Sequence, residues 1–427
     1  MEDKVDWKIV QIQDIAQVIR GASPRPKGDK RYYGGNVPRL MVEDVTRDGK
    51  YVYPSVDFLT EEGAKLSRPC TAGTLTIVCS GTVGVPSILG VDACIHDGFL
   101  GLVKVSPKVS VDYLYHFFCT QREKFNNSAT HGGVFTNLTT DGVKAFEVKL
   151  PIDLAEQEKI ATALSDTDAL ISELEKLIEK KQAIKIATMQ QLLTGKTRLP
   201  EFALREDGTP KGYKDSELGQ IPEDWEVCKF EKLCKVFTKQ TGFDYSAYIK
   251  PSLIKQYKRG HIPFVQNKDF EGKNFNFDTD YYIPKDIAEK FPNILLNEKC
   301  LLISISGSIG NVGLFNESSL AFIGGAIAIA KFIDPNKLDW VMYYMLSQQG
   351  QNTLLNNVKA GSHQNITLED IRKFSIPLPS DMEQNLITSM LSSLDAEIKN
   401  LDFRLDKLKR IKLGMMQELL TGKTRLV

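Results

Sequence analysis

Between residues 387 and 408 apolar side chains return at alternating spacings of four and three: Ile387, Leu391, Leu394, Ile398, Leu401, Leu405 and Leu408. That is the stripe of a coiled-coil helix, one seam facing a partner while charged residues fill the outer faces. The same template on residues 160–181 gives Ile160, Leu164, Thr167, Ile171, Leu174, Ile178 and Lys181, apolar at five of seven positions. Alone, such a helix would leave its seam wet at about 1.5–3 kcal/mol per large side chain. The pattern therefore predicts that the two helices cover each other. Elsewhere the period shortens. LTIVCS at 75–80 and LLISIS at 301–306 are short β-branched runs followed by Ser-Gly, which predicts buried strands ending in loops. Aromatics at helical spacing in 113–118 and 340–346 predict core helices rather than base-stacking surfaces.

The two stripes belong to a longer repeat. LLTGKTRL occurs at 192–199 and again at 419–426, an offset of 227, and at that offset 22 of the 44 positions in 156–199 match 383–426. Upstream the match is weaker but ordered: DWKI at 6–9 faces DWEV at 224–227, SGTVG at 80–84 faces SGSIG at 306–310, TNLT at 136–139 faces QNIT at 364–367, and FEVKLP at 146–151 faces FSIPLP at 374–379. The chain therefore divides into a mixed α/β domain (1–151), a helical region (152–199), a linker (200–223), a second mixed domain (224–379) and a second helical region (380–427). The Gly-Lys-Thr in each repeat invites a phosphate-loop reading. That loop needs a glycine five residues earlier, where Gln190 and Gln417 stand, and it opens a helix rather than closing one. Gly195 and Gly422 instead predict left-handed helix caps, with Lys and Arg just beyond them favourable to the helix dipole.

Charge adds a local detail. Formal net charge is zero, with 54 basic and 54 acidic residues, which does not suit a generic nucleic-acid binder. Cations nevertheless gather at Arg20, Arg25, Lys27, Lys30 and Arg31 with only Asp29 against them, and at Lys250, Lys255, Lys258 and Arg259 with no acid between. Seven cysteines without any C-x-x-C argue against a disulfide framework and against zinc, no run approaches the ~20 apolar residues of a membrane span, and the N-terminus opens on MEDKVDWK rather than a signal peptide. The expected compartment is the cytoplasm, with reduced thiols. An autonomous enzyme finds little support. No Pro-Pro exists for an adenine methyltransferase motif, and the five histidines (His96, His116, His131, His261, His363) lack metal-ligand spacing. A nuclease constellation of Asp141, Glu147 and Lys149 is not repeated, since Ser375 and Pro377 replace the last two.

In this order the motifs resemble the DNA-specificity subunit of type I restriction-modification systems: LGQIPEDW at 218–225, the strand-Ser-Gly-x-x-Gly turns, the polar loops ending in Asn-x-Thr, Leu-Pro followed by Glu-Gln, and LLTGKTRL closing each helix. The resemblance spans essentially the whole chain. It implies an α+β fold of two target-recognition domains in a tandem pseudo-twofold repeat, joined by two long helices in an antiparallel coiled coil. It implies a non-catalytic subunit whose domains each read half of a bipartite DNA target. Methylation, with S-adenosylmethionine, and ATP- and Mg-dependent cleavage would reside on partner modification and restriction subunits, with no cofactor or metal on this chain and two modification subunits docked on the helices. About 37 helical residues at 157–193 would span ~55 Å, or ~16 base pairs of duplex. Because the two variable regions differ, the target should be asymmetric. The competing reading is a helical scaffold without base readout.

Base readout needs Arg, Lys, Asn, Gln or hydroxyl side chains on groove-facing loops. Those requirements nominate Arg25, Lys27, Lys30, Arg31, Thr82, His131 and Asn137 in the first half, and Lys239, Gln240, Tyr257, Lys258, Arg259, Ser308, His363 and Gln364 in the second.

Overall fold

The computed structural model describes residues 6–128, 130–131, 136–241, 244–316, 319–355 and 365–426. The chain forms two compact units, one of residues 1–176 with 402–427 and one of residues 177–401. The unit boundaries fall inside both long helices, Leu154–Leu192 and Asp381–Leu419. Each unit is thus one mixed domain, the first part of the helix that follows it, and the end of the other helix.

The first unit is built on a five-stranded sheet in the order Gln17–Arg20, Phe99–Val103, Leu75–Val78, Pro86–Leu89, Tyr51–Val52, and a four-stranded sheet in the order Asp57–Leu59, Tyr33–Leu40, Ala93–Ile95, Pro69–Cys70. Trp7–Gln11 pairs antiparallel with Glu147–Pro151 and so closes the domain where its helix begins. The second unit repeats this plan. Its sheets run Cys234–Lys239, Ile327–Phe332, Cys300–Ser304, Val312–Phe315 and Tyr282–Pro284, His261–Val265, Ala321–Ile323, Leu295–Leu296, with Glu226–Lys229 closing on Ser375–Leu378. The apolar runs at 75–78 and 300–304 are fully buried central strands, which is why they carry no polar alternation. The aromatic segments are core helices as expected: Val111–Thr120 buries Tyr113, Leu114, Phe117 and Phe118, and Leu338–Leu346 buries Trp340 through Met345.

Within each unit the helices pair antiparallel. In the first, Thr167 donates to the Met415 sulfur at 3.6 Å and Lys409 pairs with Glu175 at 2.7 Å. In the second, Lys181 pairs with Glu397 at 2.7 Å and Lys185 with Asp395 at 2.5 Å. Of the seam residues, Ile160, Leu164, Ile178, Ile387, Leu391 and Leu401 are buried, while Ile171, Leu174, Leu394, Ile398, Leu405 and Leu408 are half-buried. Burial is deepest where a domain adds a third layer. Ile160 and Leu164 share the first core with Leu419 and Leu420, and Met189, Leu192 and Leu193 share the second with Ile387 and Leu391. The linker is folded, carrying an antiparallel hairpin of Tyr213–Ser216 and Gly219–Pro222. Its Tyr213 hydroxyl donates to the Gly195 carbonyl at 3.1 Å.

Candidate nucleic-acid interface

Each unit presents the same turn at the end of its central strand. Gly81 and Gly84 take positive φ in the first and Gly307 and Gly310 in the second, a conformation glycine adopts without Cβ strain. The backbone closes identically: Gly84 N donates to Val78 O at 2.8 Å, and Gly310 N to Ser304 O at 3.0 Å. Thr82 and Ser308 are left exposed at the tips. In the second unit Asn267 braces the turn, its amide donating to the Ser306 carbonyl at 2.7 Å and the Ser308 carbonyl at 3.4 Å. The Asn-x-Thr segments return beside these turns. Leu138 N donates to Cys79 O at 2.9 Å, and Ile366 N to Ile305 O at 3.0 Å, with Ser306 bridging Asn365. The repeated motifs therefore converge on one loop cluster per unit.

The nominated residues divide by how free their polar groups are. Lys27 and Lys30 are exposed with no ion pair among the described residues, whereas Arg25 leans on Asp97 at 3.8 Å. Arg31 departs further from a free reading side chain: Asp29 takes its Nε and Nη2, the latter at 2.7 Å, and the guanidinium lies 5.1 Å from the Tyr32 ring centroid. In the second unit Lys258 and Arg259 are exposed and, like neighbouring Lys250 and Lys255, form no ion pair among the described residues. Tyr257 is exposed with its edge against Tyr282, ring centroids 5.6 Å apart. Lys239 is half-buried at a strand end. Gln240 differs from the expectation, because its amide donates to the Ile323 carbonyl at 2.6 Å and ties the strand end to a neighbouring strand. His131 and Asn137 lie in the paired short strands Thr130–His131 and Thr136–Asn137, with their side chains outside the described residues; His363 and Gln364 lie outside them altogether. The nuclease constellation is not assembled: Asp141 pairs with Lys144 at 2.9 Å, and Lys149 donates to the Thr421 carbonyl at 2.7 Å. Among the described residues no cluster of His, Cys, Asp or Glu could hold a metal, and no helix is long and apolar enough to cross a membrane.

The profile of the type I restriction modification DNA specificity domain matches residues 4–185 and again 222–410. The chain belongs to this DNA-specificity family. It is 26% identical over 98% of its length to the type I restriction enzyme MjaVIII specificity subunit of Methanocaldococcus jannaschii, covering 93% of that subunit. Among solved structures, the type I restriction-modification S subunit from M. genitalium aligns over 98% of this chain and 97% of its own at a TM-score of 0.59 with 13% identity. A chain from a type I R-M complex aligns over 98% of both at 0.54 with 16% identity. The specificity-family fold, two mixed domains alternating with two long helices, is the one described above.

In this DNA-specificity chain the repeated motifs also explain how each domain is fixed to its helices. The central helix ends at Leu192 and Gly195 caps it at φ +70; the C-terminal helix ends at Leu419 with Gly422 at φ +74. A Cβ on Gly195 would lie 2.4 Å from Pro222, and one on Gly422 3.0 Å from the Trp7 ring, so both glycines also admit a neighbour. Three residues on, Arg198 grips Glu383 at 2.7 and 2.8 Å and Asp224 at 2.8 and 3.1 Å, above the Trp225 ring. Arg425 makes the equivalent clamp on Glu156 at 2.6 and 2.8 Å, with Asp6 at 3.6 Å. Asp-Trp, Glu-Gln and Thr-Gly-Lys-Thr-Arg are thus three parts of one joint. Gln157 and Gln384 complete it, donating to the Pro151 and Pro379 carbonyls at 2.8 Å each. The clamp on Asp224 is strong enough to hold that carboxyl down to about 2: burial works the other way, and the Arg198 and Lys211 hydrogen bonds overcome it. The nominations omitted these clamps; the signal was the identity of the motifs at constant offset, without any indication of which copy meets which.

Proposed function

We propose that the chain is the non-catalytic specificity subunit of a type I restriction-modification complex, each loop cluster reading one half of an asymmetric bipartite DNA sequence. One observation carries the reading. The same Ser-Gly-x-x-Gly turn and Asn-x-Thr return recur in both units, but the exposed side chains of the two domains differ: Thr82 at the turn with Lys27, Lys30 and two aspartate-tethered arginines in the first, Ser308 at the turn with Lys255, Lys258 and Arg259, unpaired among the described residues, in the second. Constant scaffold with variable tips is what two different half-sites require, since phosphate contacts position and base-edge contacts specify. Methylation and cleavage are assigned to partner subunits carrying S-adenosylmethionine, ATP and Mg. The modification subunits are assigned to the outer faces of the long helices, where Leu170, Ile186, Met390, Phe403 and Leu413 stand exposed although no seam partner covers them. The test is methylome sequencing of cells holding this chain and its modification partner. Adenine methylation in a two-part motif with an unread spacer supports the reading; a continuous motif, or none beside an assembled complex, favours the helical scaffold.

A further inference from the structure

Two carboxylates on the long helices hold contacts that neither the seam nor the clamps account for. In the second unit Asp395 receives three donors from three separate elements: Lys185 of the central helix at 2.5 Å, Lys273 from the turn between strands Phe270–Glu271 and Asn274–Phe275 at 2.6 Å, and the Tyr343 hydroxyl of the helix Leu338–Leu346 at 2.7 Å. Lys273 closes the ring by donating to the Tyr343 oxygen at 2.7 Å. Burial pushes the Asp395 carboxyl up, but hydrogen bonds from Lys185, Lys273 and Tyr343 outweigh it and hold the group below its ordinary value. The first unit has the same plan at offset 227: Asp168 for Asp395, Lys412 for Lys185 and His116 for Tyr343. There the hub is looser. Lys412 pairs with Asp168, but His116 Nδ1 stands 4.0 Å from it and is buried without a partner. Lys50 turns to Ser165 at 2.7 Å and Asp112 at 2.6 Å.

The Asp395 hub joins the three bodies whose relative setting matters for DNA geometry: the two helices and the recognition domain. Apolar packing is non-directional and lets a domain roll on a helix pair. Charge-assisted hydrogen bonds from three directions do not, and a polar group in an otherwise apolar interface is a known means of fixing register. We infer that the Asp395 hub, with Lys273 and Tyr343, keys the second recognition domain to the helices at one angle, and thereby determines which half-site spacing the subunit accepts. These are positioning residues for DNA specificity, and the inference rests on the bipartite reading above.

The experiment uses the assembled modification complex and duplexes carrying both half-sites with the natural spacer or one base pair more or less. Methylation rates are compared for wild type, Asp395→Asn and Lys273→Met. Preference for the natural spacer should fall about tenfold, equivalent to about 1.4 kcal/mol, while discrimination at each half-site stays unchanged. Lys273→Met removes one donor and leaves the Lys185 pair between the helices, so it decides the matter if Asp395→Asn does not assemble. Unchanged spacer preference, or an equal loss on every spacer, overturns the inference. If wild type methylates no bipartite duplex, the functional reading fails instead.

Discussion

Replacing Arg198 by Met isolates the joint that closes the second unit. The Arg198 side chain is 7% exposed and its partner Glu383 1% exposed, joined by two charge-assisted hydrogen bonds. Without the guanidinium, Glu383 keeps one donor, the Trp225 indole nitrogen at 3.2 Å. Removing one member of such a buried pair costs about 3–5 kcal/mol, because the other charge stays desolvated. Asp224 adds little to this, being one-third exposed and still held by Lys211 at 2.7 Å. Local stability is measured by hydrogen exchange at residues 189–199, which reports this unit without requiring the whole chain to unfold in one step. The double change Arg198→Met, Glu383→Met removes both charges, and should recover at least about 2 kcal/mol relative to the sum of the two single changes. Additive single effects, or an Arg198→Met loss below about 1 kcal/mol, would refute the buried-clamp reasoning.

Three further outcomes are expected. Gly195→Ala should destabilise the end of the central helix more than Gly208→Ala destabilises its turn: both have positive φ, but only Gly195 lacks room, and equal losses in hydrogen exchange would contradict this. Burial, and then the charges of Lys50 and Lys412, push His116 down to about 3. Below its ordinary value near 6.5 the unfolded chain takes up a proton that the folded chain refuses, so stability is full above that pH and falls toward pH 3 by about 1.4 kcal/mol per pH unit. His116→Gln should remove that slope from urea titrations, and an unchanged slope would count against it. Lys255→Ala with Lys258→Ala and Arg259→Ala should relax base discrimination in one half-site and lower the dependence of log K on log salt by about 0.9 for each phosphate that is no longer neutralised; an unchanged motif with an unchanged salt slope would remove these residues from the interface.

Much of the scaffold could be read in the sequence because it is periodic or repeated. The four-three spacing from Ile387 to Leu408 located a long helix, and the LLTGKTRL offset located its twin. Burial along that seam is uneven because spacing reports which face is apolar, and not where a domain lies on top of it. The reading of Gly195 and Gly422 as caps needed only local chemistry. What Arg198 and Arg425 bind required tertiary geometry, since their partners Glu383 and Glu156 lie far away along the chain. The same limit applies to the loops. Composition marked Arg31 and Gln240 as available side chains, and only the fold shows Asp29 and the Ile323 carbonyl taking their donors. Asp168 and Asp395 read as ordinary polar positions on a charged helix; the donors reaching Asp395 from a turn and from a core helix are invisible to any helical period.

In the proposed function each unit is an independent reading head on a shared pair of helices. The most direct measurement is the methylated motif after residues 6–151 are exchanged for the corresponding segment of the M. jannaschii relative, with both long helices kept. The expected motif has one new half-site, with the other half-site and the spacer unchanged. A motif altered in both halves, or a new spacer beside two old half-sites, would contradict it.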